Sequence, residues 1–222
     1  MRIQRLTTVA QEDVYARISF VTADVELTDV SGAVTTLTGV EIPADWSHGA
    51  VSALLAQGLC RSGVPQKLKA VEENTVPNWL WRCVPSDVAE AETARGAEQS
   101  CKSLFDRVAG ALTYTGWKAG YFKAEADAQA FYDEWRYLLA TQRLALPAAC
   151  WAELGLGWAY GFEGRAGEGV WIDPRSGRIR VRPLAHLNPD ILEFIGGKEG
   201  PALLAPDDPA LAAKLGAPVV HH

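Results

Sequence analysis

The chain has 222 residues, 48% of them hydrophobic and 22% charged, with a formal net charge of -6. A chain of this size buries roughly 70% of its unfolded surface, enough for one good core, yet it is too short for an eight-stranded barrel with connecting helices, which needs about 250 residues. The acidic balance argues against a nucleic-acid partner, and the lack of a long apolar run argues against a membrane span or signal segment, so a cytoplasmic protein is expected.

The first elements read as strands. Ile18, Phe20, Val25 and Leu27, then Val34, Leu37, Val40 and Ile42, flank the turn signal Asp29-Val30-Ser31-Gly32 and predict a hairpin that Pro43 ends. Ser47 to Cys60 reads as a helix capped by Ser47, with Val51, Leu54, Leu55 and Leu59 on one face. Residues 65–87 hold three prolines around Trp79-Leu80-Trp81, an ordered connection with its rings tucked against a helix or, alternatively, a ligand-stacking platform. Asp87 to Ala111 reads as a helix with Ser86 or Asp87 as cap and Leu104, Val108 and Leu112 on its apolar side. Tyr114 to Phe122, dense in aromatic residues and glycine, reads as a turn between helices.

Glu125 to Leu144 carries the clearest helical stripe, Ala128, Phe131, Trp135, Leu138 and Leu139, with acidic residues in its first turn. The glycines from Gly155 to Gly169 lack dinucleotide-binding spacing and lead into a strand pattern, so they read as a loop. Val170 to Ile172 and Ile179 to Val181 then predict a second hairpin around Asp173-Pro174-Arg175-Ser176-Gly177. Arg178, Arg180 and Arg182 alternate along its second strand and, with Arg175, suit either a phosphate or acidic partner or a solvated edge.

The expected fold is therefore α+β, mainly helical: an N-terminal β-hairpin over 1–45, a helical core over 46–162 and a second hairpin over 163–183, in one domain spanning 1–195. Residues 196–222 read as a Pro/Ala-rich tail with one short helix, and His221-His222 as the start of an expression tag. Cys60, Cys83, Cys101 and Cys150 form no C-x-x-C pair and histidines are scarce, so no metal site is expected and the thiols read as reduced and inert.

From about residue 110 the chain acquires a specific likeness. AGALTYTGWKAGYFKAEADAQAFYDEWRYLLATQR, followed by GLGWAYGFEGRAGEGVWIDPRSGRI, resembles the N-terminal region of the class II, adenosylcobalamin-dependent ribonucleotide reductases; EIPADWS at 41–47 and VEENTVPNWLWRCVPSD at 71–87 agree. The resemblance covers roughly residues 1–182. It implies a mainly helical segment preceding a ten-stranded α/β barrel that carries a radical-forming cysteine and a redox cysteine pair, with ribonucleoside-diphosphate reductase activity. A thiyl radical needs such an enclosed barrel to escape quenching.

Departures from the family pattern stand beside the matches. The family's Asn-Ser-Pro-Gln-Trp-Phe-Asn run at the substrate mouth corresponds here to Pro147-Ala148-Ala149-Cys150-Trp151-Ala152-Glu153, and only the tryptophan is kept. Glu153 places a negative charge where it would repel a phosphate. The first redox cysteine falls on Phe194, which cannot form a disulfide, and Lys123-Ala124 precedes the main helix where the family offers a capping Asp or Ser. No family catalytic, cofactor or metal residue is thereby carried onto this chain.

These readings lead to a non-catalytic, stand-alone relative of the reductase N-terminal domain acting as a binding or regulatory module, with no cofactor of its own and no catalysis by this chain alone. The partner expected is a protein, a reductase barrel subunit or another, or a nucleotide. The alternative is a subunit of a split reductase serving deoxyribonucleotide synthesis, completed in trans by a barrel-bearing chain; adenosylcobalamin enters only in that case. A third reading makes Glu153, near Trp151 and Trp158, a general base with a raised pKa. The candidate contact residues are Trp151, Glu153, Trp158, Arg175, Arg178, Arg180 and Arg182.

Overall fold

A computed structural model describes residues 1–28, 32–86, 95–162, 168–173 and 176–183. By internal contacts the chain divides into two units, Met1–Phe162 with Ile172–Ile179, and Glu163–Trp171 with Arg180–His222. The predicted mixture of helices and small hairpin sheets is what forms.

The first unit opens with β1 (Phe20–Thr28) and β2 (Val34–Pro43), antiparallel, with Phe20 opposite Pro43 and Thr28 opposite Val34. Alternation buries Val25, Leu27 and Val40. The register shifts between Ala23 and Val25, where Asp24 Oδ1 accepts the Gly39 N–H at 2.8 Å and Gly39 takes φ +67°. Gly32 has the positive φ a tight turn needs, +84°; Asp29, Val30 and Ser31 lie outside the described residues.

Helix α1 (His48–Gly58) begins where Ser47 Oγ accepts the Ala50 N–H at 3.3 Å, and it buries Val51, Leu54 and Leu55. The chain then folds through β3 (Val64–Pro65), β4 (Leu68–Ala70) and β5 (Cys83–Pro85), which pairs with β4. β3 pairs instead with β6 (Arg95–Gly96).

Helix α2 (Cys101–Lys118) corrects two expectations. Among the described residues it starts at Cys101 under a Ser100 cap, because Arg95 and Gly96 are drawn into the β3 pairing; residues 87–94 of the expected helix lie outside the described ones. The Ser86 N–H donates to the Lys67 carbonyl at 3.1 Å, and the residues that Ser86 or Asp87 would cap lie outside the described ones. At the other end the helix runs through Tyr114 to Lys118 rather than turning, since Thr113 and Gly116 continue its buried face and the Phe122 ring lies against Gly116.

Helix α3 (Glu125–Ala140) packs along α2 and receives the N-terminal segment. Ala124 has no side chain to cap with, so only half a capping box forms, Asp127 accepting the Ala124 N–H at 3.1 Å. The Trp79 ring lies 5.7 Å from Tyr132 of α3, and its indole donates to Glu125 at 2.8 Å. Two short helices follow, α4 (Ala148–Glu153) and α5 (Leu156–Tyr160). The second corrects the loop reading of that stretch: Gly155 at φ +85° and Gly161 at φ +73° are its two ends, not signs of irregular backbone. β7 (Glu168–Ile172) and β8 (Ile179–Pro183) form a two-stranded sheet.

The core of the first unit gathers Leu54, Leu55, Leu104, Phe105, Val108 and Leu139. Phe105 stands at its centre, 5.9 Å from the Trp46 ring and 6.3 Å from that of Trp151. No helix among the described residues is long and apolar enough to cross a membrane.

Candidate functional site

The sequence-predicted contact residues do not converge. Trp151 is only 7% exposed and is a core residue of α4. Trp158 on α5 is half-buried; its indole N–H donates to the Leu80 carbonyl at 3.0 Å, and its ring lies so close to Gly110 that a Cβ there would come within 2.2 Å. Glu153 ends α4, half-buried and engaged with a neighbour. Arg175 lies outside the described residues, and of Arg182 only the backbone, in β8, is described. Arg180 is exposed and engaged; Arg178, just before β8, is exposed and lines a pocket.

The strongest polar feature of the first unit is one that sequence reasoning missed. Arg107, in the middle of α2, is 1% exposed. Its Nε donates to Glu98 Oε1 at 3.0 Å, its Nη1 to the Leu154 carbonyl, and its Nη2 to the carbonyls of Gly58 and, at 3.1 Å, Trp151. Those carbonyls belong to the ends of α1 and α4, where backbone acceptors have no partner within their own helix. Glu98 is satisfied in turn: Oε1 also accepts the Tyr160 hydroxyl at 2.7 Å, and Oε2 accepts the Cys60 N–H at 2.7 Å. One guanidinium therefore ties together α1, α2, α4 and the segment before α2, and through Glu98 also α5.

The same packing silences the thiols nearest to it. Burial, with the Glu98 carboxylate beside it, pushes the Cys60 pKa up to about 12; burial, with Glu98 and Glu41, does the same for Cys101. Burial also raises Cys83. Tyr160 is driven far above its usual range by burial and by Glu98, so it donates and does not ionise.

A pocket of about 300 Å³ lies beside this hub, still within the first unit. Its described lining is Ser62, Gly63, Arg95, Phe162, Arg178 and Ile179. Backbone pairing brings these distant positions together. Arg61 N–H donates to the Gly177 carbonyl at 2.8 Å and Ser62 bridges Arg178 in parallel, while Pro65 opposite Arg95 carries the second arginine in. Arg95 Nη1 donates to the Gly63 carbonyl at 3.0 Å, and its guanidinium stands 5.9 Å from the centre of the Phe162 ring. The Arg178 guanidinium makes no ion pair or hydrogen bond among the described residues, and the buried Ser62 hydroxyl has no partner there. Only Arg178 was visible as a candidate in the sequence; Ser62, Arg95 and Phe162 carry no spacing signal.

Among the described residues no group of three or more His, Cys, Asp or Glu is placed to hold a metal ion. At about 300 Å³ the pocket is at the lower end of the range, roughly 300–1,000 Å³, that holds drug-sized ligands, and a corrin ring with its nucleotide loop and adenosyl group is far larger. The described pocket is too small to enclose adenosylcobalamin.

Comparison with known proteins gives a consistent result. The family model described as class II vitamin B12-dependent ribonucleotide reductase matches residues 21–142. The vitamin B12-dependent ribonucleotide reductase of Bradyrhizobium diazoefficiens is 40% identical over 194 residues, covering 85% of this chain and 16% of that protein. That of Agrobacterium fabrum is 39% identical over 194 residues, covering 85% of this chain and 15% of that protein. The chain thus spans about 16% of the length of the curated relatives it matches, in their N-terminal part.

Proposed function

The chain belongs to the class II vitamin B12-dependent ribonucleotide reductase family, and on that premise we propose that it is a non-catalytic binding module of such an enzyme, a degenerate copy of the N-terminal scaffold. The observation that carries this reading is the state of its thiols. Reduction by a thiyl radical and a redox pair needs cysteines that meet substrate and exchange partners as thiolates. Cys60 and Cys101 have no exposed surface and their pKa values are pushed up to about 12, Cys83 and Cys150 are half-buried, and the resemblance sets Phe194 against the first redox cysteine. The segment matching the substrate mouth supports the same view, because α4 turns its one retained aromatic residue, Trp151, into the core.

In this reading the module works in the cytoplasm, where four unpaired cysteines are ordinary, and its protein partner is a barrel-bearing reductase chain that alone takes adenosylcobalamin. The test is a reductase assay on the purified chain with ribonucleoside diphosphate, adenosylcobalamin and a dithiol. No deoxyribonucleotide should form. Turnover by the chain alone overturns the proposal, and turnover only in a mixture with a barrel-bearing chain replaces it with the split-subunit reading.

A further inference from the structure

We infer that the Ser62–Arg95–Phe162–Arg178 pocket is a binding site for a small organic phosphate monoester. The inference deepens the binding-module reading and rests on it, since it assigns no chemistry to the bound molecule.

Charge argues first. Two guanidinium groups line a concave site in a chain whose net charge is -6, and no carboxylate stands among the described lining residues. One of the two, Arg178, has no protein partner among the described residues, so its donors are available. Arg95 is held in place by the Gly63 carbonyl and faces Phe162, which fixes its fork before any ligand arrives.

Donor count then selects the anion. The two guanidinium forks together offer more hydrogen bonds than the two oxygens of a carboxylate can share well, whereas the three terminal oxygens of a phosphate monoester can take them. The remaining wall selects the rest of the molecule. Phe162 and Ile179 are both half-buried and apolar, and about 300 Å³ is more room than a bare phosphate fills. An apolar or planar body attached to the phosphate would lie against the phenyl ring.

Gly177 helps explain why the site forms at all. With φ +64° it lets the turn before Arg178 approach Arg61 so closely that a Cβ would stand 2.1 Å from the Arg61 side chain. The backbone bond from Arg61 to Gly177 closes that approach and sets Arg178 over Ser62.

Calorimetric titration of the full chain with phenyl phosphate, inorganic phosphate and phenol tests the inference. Phenyl phosphate should bind saturably, inorganic phosphate more weakly, and phenol not at all. Arg178→Gln and Arg95→Gln should each weaken phenyl phosphate roughly tenfold, the loss of one charge-assisted contact. Phe162→Leu should weaken phenyl phosphate and leave inorganic phosphate unchanged. Arg178 is exposed, so its variant should keep the circular-dichroism spectrum and melting temperature of the parent. Absence of saturable binding, or equal binding by the parent and Arg178→Gln, overturns the site; equal affinity for phenyl and inorganic phosphate overturns the organic ligand class. Either result leaves the non-catalytic reading standing, while reductase turnover by the chain would remove that reading whatever the titration gives.

Discussion

Replacing Arg107 by methionine should be among the most damaging single changes available to this fold. Methionine keeps much of the length and apolar stem of the side chain, so the variant isolates loss of the guanidinium from loss of volume. Four contacts disappear: the ion pair to Glu98 and the bonds to the carbonyls of Gly58, Trp151 and Leu154. Both members of the pair are about 1% exposed at the side chain, so water cannot step in without opening the core. Leaving a buried charge without its partner costs about 3–5 kcal/mol. The orphaned carbonyls add to that, each about 1–3 kcal/mol where it stays dry. Against a total stability of about 5–15 kcal/mol, the pair alone removes between about a fifth and the whole.

Urea denaturation measures this. With a slope of about 2 kcal/mol per molar, the midpoint should fall by about 1.5–2.5 M. Arg107→Lys keeps the charge but cannot reach four acceptors from one nitrogen, and it should fall in between. Glu98→Gln combined with Arg107→Met should recover about 1–3 kcal/mol relative to the sum of the singles, because the buried carboxylate is then uncharged. A midpoint for Arg107→Met within about 0.5 M of the parent would refute the claim that this guanidinium organises the first unit.

Glu134 supplies a pH test. Burial tends to raise its pKa, but hydrogen bonds from the Thr7 hydroxyl and N–H, and then from Thr8, outweigh it and set the value at about 2, below the ordinary 4.5. Its contribution should therefore be complete above pH 4.5 and fade as pH falls towards 2, so the stability gap between parent and Glu134→Gln should narrow over that window; a constant gap counts against it. Thiol labelling of the native chain should leave Cys60 and Cys101 unmodified until urea is added, and rapid native labelling of either would contradict their burial. Gly110→Ala weighs two effects of opposite sign: a helical glycine replaced by alanine gains about 1 kcal/mol, but the new methyl meets the Trp158 ring and overpacking costs about 1–3 kcal/mol. Calorimetric melting should show a net loss, largely restored by Trp158→Leu.

What the sequence disclosed and what it hid divide along physical lines. The β1–β2 hairpin and α3 were legible because each writes its burial pattern in consecutive residues, with period two around Val25 and Leu27 and helical period along Ala128 to Leu139. The start of α2 was not, because Glu90 to Glu98 is rich in alanine and glutamate and reads as helix by propensity, while Arg95 and Gly96 are taken by a pairing with Val64 and Pro65. Its end was misplaced for a related reason: a lone glycine among aromatics looks like a turn, yet Gly116 is small so that Phe122 can lie against the helix. Arg107 was invisible because three of its partners are backbone carbonyls, which any residue can supply. The pocket is assembled from four separate segments, so no local pattern announces it.

In the proposed reading, the Arg107 hub also accounts for how the scaffold would tolerate other side chains along the stretch matched to the family's substrate mouth. What Arg107 requires of residues 151–154 is two carbonyl oxygens and the backbone path between them, and Gly155 at φ +85° fixes that path where a Cβ would stand 2.2 Å from the Arg107 carbonyl. The side chains at Ala148 and Ala149 are exposed and make no demand on the core, whereas Trp151 and Ala152 are buried. The retained tryptophan is thus the residue the fold needs, and the altered positions include those it does not. Exchanging the two exposed alanines by Ala148→Ser and Ala149→Ser should change the unfolding free energy by no more than about 1 kcal/mol, as surface substitutions do, while Trp151→Ala should cost about 3–5 kcal/mol. A large loss from the first pair would mean that this stretch is under structural constraint after all, and that its departure from the family was matched by changes elsewhere in the core.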